Sequence, residues 1–223
     1  MNKAITIPLV EESPLQISPD MMKTFIWEMQ IYKAAIKEMQ TKLENLDDSF
    51  HARYEYNPIH HIETRLKDTP SIMNKLSKMG HDFSVDAMTT YLHDIAGVRV
   101  ICNYLDDMDR VADMLLNQDD VELLQRKEYH KHPKSNGYRS LHLVVSIPVF
   151  LADEKRIVPV EVQIRTIAMD LWASLEHQLR YKNMNDTPVP KELSERLYSC
   201  AMVLTEIDDE MQAIYNEILK LDN

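Results

Sequence analysis

Two apolar stripes of heptad spacing, one near each end of the chain, limit the fold more than any other feature. From about residue 20 to 47, Phe25, Met29, Tyr32, Ile36, Met39, Leu43 and Leu46 recur in steps of four and three. Leu193, Leu197, Cys200, Leu204, Ile207, Met211, Ile214, Ile218 and Leu221 repeat the pattern at the other end. Such spacing puts a narrow apolar seam on a long helix. Each seam needs a cover, either the other helix and the rest of the chain or a second subunit, and spacing alone does not choose.

The segment between the stripes reads differently. "VRVICNY" (98–104) is β-branched and predicts a buried strand, as do "VELLQ" near 121 and "LHLVVSIPVF" from 141. "RIVPVEVQIRT" (156–166) alternates apolar with polar residues, so one face is packed and one open. Helical periodicity predicts helices over 106–117 and 167–182, and a short one over 85–92. Pro58 suits the first turn of a helix continuing to about 79, broken near Pro70. The expected fold is α/β (α+β), a mixed β-sheet flanked by helices with long N- and C-terminal helices. The expected division is a flexible lead-in over 1–19, a main domain over 20–183 and a helical extension over 184–223 suited to oligomerisation.

Composition narrows the partners. The chain has 25 Lys+Arg against 36 Asp+Glu, a formal net charge of −11, which disfavours a broad nucleic-acid surface and any DNA partner. Its 14 methionines are scattered, as core filler would be. No apolar run approaches membrane-spanning length and no signal-like segment opens the chain, so a soluble, cytoplasmic protein without a membrane partner is expected. Cys102 and Cys200 lie far apart with no zinc-finger spacing, and Cys102 reads as a buried, reduced thiol.

Against that acidic background, "HKHPKSNGYRSLH" (130–142) is basic and bent. Lys131, Lys134 and Arg139 supply charge for phosphates, Asn136-Gly137 is a turn signal, and Tyr138 offers a ring on which a base can stack. GxxxxGK and GxGxxG are both absent, so P-loop and Rossmann mechanisms are unsupported. In "RLKDTPSIMNKL", Arg65, Lys67, Ser71 and Lys75 make a basic segment, with Ser71 expected to cap a helix from Ile72. The bland alternative is a solvated basic helix face. In "HDIAGVRVI", Asp94 and Arg99 bracket Gly97 at the entrance to a strand, a common place to hold Mg²⁺ beside phosphates. His93-Asp94 and His81-Asp82 also have the form of HD-type phosphohydrolase pairs, but further ligands do not recur at a recognisable spacing. Glu161 and Gln163 point to one side of an alternating strand, with Arg165 beyond them. Glu161 can join Asp94 on one metal or accept a hydroxyl proton. Asp170, on the following helix, can accept hydrogen bonds from guanine. Two basic phosphate-binding segments, two strand-edge carboxylates and a stacking tyrosine together suit nucleotide chemistry with Mg²⁺.

In this order, "RLKDTPSIMNKL", "HDIAGVRVIC", "PKSNGYRSLHLVV" and "EVQIRTIAMDLWASLEH" resemble the synthetase domain of the RelA/SpoT family, over about residues 57 to 182. The short length further resembles a stand-alone small alarmone synthetase, without room for a hydrolase or regulatory domain. The resemblance implies a nucleotidyltransferase-like fold and transfer of the β,γ-pyrophosphate of ATP to the 3′-hydroxyl of GDP or GTP. It implies that Arg65 and Arg99 sandwich adenine and that Lys67, Ser71 and Lys75 hold the ATP phosphates. Asp94 would bind Mg²⁺, and Glu161 would activate the hydroxyl and approach the metal. Tyr138 would stack on guanine, with Lys134, Asn136, Arg139, His142, Gln163 and Asp170 on the acceptor side. It also implies a homotetramer. His130 and His132 are expected to be mobile loop residues. The reading from another class is a non-catalytic guanosine-nucleotide or RNA-binding sensor on the same fold.

Overall fold

A computed structural model describes residues 19–182 and 190–221. The expected lead-in, apart from Pro19, and the start of the C-terminal extension lie outside the described residues. Helix α1 (Pro19–Tyr54) opens on a proline, whose fixed φ suits a first helical turn. It runs past its predicted end and stops where Glu55 turns left-handed (φ 53°), just before Asn57-Pro58.

The helix expected from Pro58 to about 79 is a correction. Its first half is strand β1 (Ile59–Leu66), and only its second half is helical, α2 (Thr69–Lys78). Asp68 is the N-cap of α2 and accepts a hydrogen bond from the Ser71 amide at 2.7 Å. Pro70 therefore sits in the opening turn rather than breaking a longer helix, and Ser71 lies inside that turn rather than capping it. Lys67 stands in the connection between β1 and α2, so Lys67, Ser71 and Lys75 do not share one helix face. Next come α3 (Val85–Tyr91), β2 (Ala96–Cys102), α4 (Leu105–Leu116), β3 (Glu122–Glu128), β4 (Leu141–Phe150), β5 (Lys155–Thr166), α5 (Ile167–Lys182) and α6 (Lys191–Leu221), in the expected order.

The five strands form one mixed sheet in the order β1-β2-β5-β4-β3, with β2 and β5 parallel and every other pair antiparallel. Val98, Val100, Leu143, Val145, Val160 and Val162 point to one face, which α1 and α4 cover with Ile31, Ala35, Met39, Leu43, Met108 and Val111. Apart from Ala35, each such side chain stabilises the fold by about 1.5–3 kcal/mol on full burial. The residues between them necessarily point to the other face. There Gly97, Arg99, Glu161, Gln163 and His142 stand in adjacent register.

The stripe of α1 is thus buried on the sheet and not on the C-terminal helix. Helix α6 joins the body through a different face. Trp172 Nε1 donates to the Leu197 carbonyl (2.9 Å), Thr166 Oγ1 donates to Asp208 (2.6 Å), the Asp106 amide donates to Gln212 (2.9 Å), and Tyr215 stacks on Tyr104 at 4.2 Å. Cys102 is buried, Cys200 is exposed, and both are free thiols. Among the described residues, no helix is long and apolar enough to cross a membrane.

Candidate functional site

The open face of the sheet floors a cavity of about 380 Å³ lined by Glu63, Arg65, Lys67, Asp94, Arg99 and Glu161, with Gly97 and Gln163 among its further neighbours. Strand register explains the grouping. Gly97 pairs with Arg65 on β1 and Glu161 on β5, while Arg99 pairs with Glu63 and Gln163. A Cβ at Gly97 would sit 3.4 Å from the Arg65 carbonyl oxygen, so glycine keeps the floor low between Arg65 and Glu161. Arg65 and Arg99 are diagonal neighbours on an antiparallel pair, about 7–8 Å apart at their bases. That is the gap a planar ring needs to lie between two guanidinium planes.

Asp94 enters from the turn before β2. Its Oδ2 lies 2.7 Å from Lys75 Nζ and 3.1 Å from Lys67 Nζ. Burial alone would raise the pKa of this carboxyl, but the Lys75 hydrogen bond and the two lysine charges outweigh it and hold the group below its ordinary value. Asp94 Oδ1 is buried without a partner. An ionised carboxylate with one oxygen held and the other free suits a hard divalent cation. Among the described residues His93 joins no such donor group, and His81 stacks on Tyr91 at 3.8 Å, so the HD-hydrolase pairs are not assembled.

Two hydrogen-bond chains converge on Glu161, and both begin at Arg165, which is 5% exposed. Arg165 Nη2 donates to Gln163 Oε1 (2.9 Å), and Gln163 Nε2 donates to Glu161 Oε2 (2.9 Å). The same nitrogen donates to Tyr138 Oη (2.7 Å), which lies 2.8 Å from His142 Nε2, while His142 Nδ1 lies 3.3 Å from Glu161 Oε1. With its oxygen accepting from Arg165, the Tyr138 hydroxyl is left to donate to Nε2, which puts the imidazole proton on Nδ1, facing Glu161. Burial raises the pKa of Glu161 and the Asp94 charge adds to that. The bonds from His142 and Gln163 prevail, so the carboxyl lies below its ordinary value. Asp94 and Glu161 are therefore both ionised at neutral pH.

The basic stretch forms the connection between β3 and β4. Gly137 is left-handed (φ 91°), and its amide donates to the Lys134 carbonyl at 2.9 Å, which closes the expected turn. The ring of Tyr138 is half-buried beneath Lys134 Nζ, 4.8 Å from its centroid. Asn136 donates to Glu176 at 3.4 Å. Arg139 points elsewhere. Its Nε and Nη2 donate to the His130 carbonyl (3.1 and 2.8 Å), and it lines a recess with Trp172, Ala201 and Asp208 away from the cavity. His130 is not an exposed loop residue. It is 8% exposed, and its amide donates to Ser140 at 3.0 Å, whereas His132 is exposed. Asp170 is engaged by Arg165 (2.9 Å) and Arg99 (3.4 Å), so its carboxylate is already satisfied by arginine. Sequence reasoning missed Glu63, which holds Arg99 at 2.9 Å, and the organising position of Arg165. No local pattern in "IHHIETRL" exposes the first, which depends on the pairing of β1 with β2, whereas the same-face spacing of Glu161, Gln163 and Arg165 could have exposed the second.

Residues 64–186 match the profile of the region found in RelA / SpoT proteins. The chain is 40% identical over 191 residues to the GTP pyrophosphokinase YwaC of Bacillus subtilis, covering 86% of this chain and 90% of that one. It is similar to the crystal structure of small alarmone synthetase 2 from Bacillus subtilis, with a TM-score of 0.79 and 39% identity over 87% of this chain and 99% of the other. It is also similar to small alarmone synthetase 1 from the same organism bound to its product pppGpp, with a TM-score of 0.80 and 31% identity, covering 88% and 99%.

Proposed function

The chain belongs to the RelA/SpoT family, and from that premise we propose that its cleft moves the β,γ-pyrophosphate of ATP onto the 3′-hydroxyl of GDP or GTP, yielding ppGpp or pppGpp and AMP. One observation carries the reading: two ionised carboxylates, Asp94 and Glu161, face one cavity with Arg65, Lys67 and Arg99, while the third carboxylate there, Glu63, is paired with Arg99. Such a site suits a reaction that gathers two polyphosphates and is helped mainly by positioning and charge neutralisation.

On the donor side, Arg65 and Arg99 hold the adenine between them, and Lys67 and Lys75, with the first turn of α2 at Ser71, meet the ATP phosphates. On the acceptor side, guanine takes the face of Tyr138 now covered by Lys134, which frees that ammonium for phosphate. Glu161, oriented through both its oxygens, takes the proton of the 3′-hydroxyl as that oxygen attacks the β-phosphorus. The bond between the β-phosphorus and the α,β-bridging oxygen breaks, and AMP leaves. Asp94, through its free Oδ1, and Glu161 would hold a divalent cation, Mg²⁺ in this reading. Bound there, it supplies positive charge beside the polyphosphates. Arg139 braces the acceptor loop and Asp170 sets Arg99 and Arg165, instead of reaching substrate.

The exposed apolar stripe of α6, with Leu171, Leu175 and Leu179 on α5, supports a homo-oligomer, a tetramer in this reading. Purified protein given ATP, GDP or GTP, and Mg²⁺ is expected to release AMP and a 3′-pyrophosphorylated guanosine nucleotide, resolved by anion-exchange chromatography. Glu161→Gln should lower kcat by about 10²–10⁴-fold, the range of a general base, and leave acceptor binding within a few-fold. AMP release by that variant at the parent rate would remove Glu161 from the reaction.

A further inference from the structure

Outside the cleft, on the opposite side of the sheet, Asp109 of α4, Glu128 at the end of β3 and His130 two residues on bring one ligand atom each to within 4.8 Å of one another. Glu128 pairs with Leu141, a residue of the core face, whereas the cleft residue His142 pairs with Lys127. The cluster therefore shares no side chain with the cavity that holds Asp94 and Glu161.

His130 carries the chemistry here. Its ring is more than nine-tenths buried, neither ring nitrogen has a hydrogen-bond partner, and Nε2 stands 3.9 Å from Asp109 Oδ1. A buried imidazole with no partner for either nitrogen leaves a donor and an acceptor unsatisfied, which is a costly arrangement. A neutral imidazole keeps one nitrogen lone pair free for a metal, and here no protein donor occupies it. The surrounding charges mark where a cation belongs. Lys131 Nζ lies 3.0 Å from Glu128 Oε1 and 3.4 Å from Asp109 Oδ2, and Arg126 Nη2 lies 3.2 and 3.1 Å from the same two side chains. Lys131 is half-exposed and can swing into solvent without disturbing the core.

We propose that Asp109, Glu128 and His130 form a binding site for a divalent transition-metal ion of the Zn²⁺ class, which takes the place of the Lys131 ammonium. One imidazole and two carboxylates suit Zn²⁺ or Mn²⁺ better than Mg²⁺, which prefers oxygen ligands and retained water. Tetrahedral Zn²⁺ sets its ligand atoms about 3.3–3.5 Å apart, so side-chain movements of about 1 Å close the set. The ion would pin α4 to the foot of the acceptor loop, because the His130 carbonyl is the anchor of Arg139 and its amide is bound to Ser140. The site stands whether or not the chain transfers pyrophosphate, since none of its ligands belongs to the cleft.

The test uses untagged, chelator-stripped full-length protein dialysed against Zn²⁺ with Mg²⁺ in excess to occupy the cleft carboxylates. One Zn²⁺ per chain is expected, together with a rise in Tm that grows with Zn²⁺ concentration. Asp109→Asn and His130→Gln should each weaken binding at least about tenfold, and Lys131→Met should strengthen it several-fold. Glu161→Gln should leave the stoichiometry unchanged. Absence of binding to the parent protein, or parent-like affinity in His130→Gln, overturns the proposal. Should His130→Gln or Asp109→Asn prove unfolded, Lys131→Met decides alone: unchanged or weaker Zn²⁺ affinity in that variant also overturns it.

Discussion

Helices α1 and α6 carry the same four-and-three apolar spacing and use it in opposite ways. On α1, Tyr32, Ile36, Met39 and Leu43 are 0–7% exposed beneath the sheet. On α6, Ile207, Met211, Ile214 and Ile218 are 43–51% exposed, and the helix is held instead by Ala201, Asp208 and Gln212 on a neighbouring face. The difference follows from what each helix meets. The core face of the sheet is continuous and apolar, so α1 offers it an apolar seam. The surface that α6 meets is a small apolar patch around Trp172 and Ala173 on α5, the acceptor-loop turn and polar groups at Thr166 and Asp106, so Ala201, Leu204 and hydrogen-bonding residues make that contact. Periodicity reports that a helix has a seam; the partner's chemistry decides whether the chain itself covers it.

The largest effect should come from the covered seam. Leu43→Ala removes buried methyl groups at a fully enclosed position and should cost about 2–5 kcal/mol, read from denaturant unfolding. A loss under about 1 kcal/mol would mean that α1 packs no more tightly than α6. A smaller but more local effect is expected where α6 meets the acceptor loop. A Cβ on Gly137 would lie 2.6 Å from the Ala201 Cβ, and its φ of 91° is poorly tolerated by other residues. Gly137→Ala should therefore cost about 1–3 kcal/mol. It should raise KM for the guanosine nucleotide while leaving KM for ATP within a few-fold, because the ATP side is built on β1, β2 and α2. Adding Ala201→Gly relieves the contact but not the backbone strain, so only part of the loss should return. Full recovery would show that α6 alone sets the loop.

What the sequence made legible follows the same physics. The central strands β2, β4 and β5 were readable because burial on the core face demands runs of Val, Ile and Leu. Strand β1 was not, because it is an edge strand with Ile59 as its one buried residue, and "HHIETR" carries too little apolar alternation to oppose the helical cue at Pro58. In the candidate site, Asp94, Lys67, Lys75, Glu161 and Gln163 were identified locally and do meet at one cluster of side chains. Arg165, Glu63 and the burial of His130 escaped notice because each depends on a partner distant in the chain. Arg165 needs Tyr138, Glu63 needs the pairing of β1 with β2, and His130 needs Arg139 to bond its carbonyl and α4 to bring Asp109 near. Asp170 was legible as a functional-looking acid, but its occupation by two arginines was not.

The smallest effect on the subunit's own fold should come from the uncovered seam, and there the comparison is most exposed to failure. Ile214→Ser with Ile218→Ser alters two side chains that are 43% and 51% exposed, so the intrinsic stability of a subunit should change by no more than about 0.5 kcal/mol. Assembly should change far more, because the homo-oligomer proposed above sets this stripe against a second copy. Sedimentation velocity of the variant should show lighter species at concentrations where the parent chain is still associated. Its Tm should become concentration-dependent over that range, since subunits held by mass action gain stability with concentration. If the variant keeps the parent's mass and loses as much stability as Leu43→Ala, the stripe of α6 is covered by its own chain and the two helices are equivalent after all. If mass falls while the diluted subunit unfolds as the parent's does, the two seams have separate functions, with α1 building the domain and α6 joining one domain to the next.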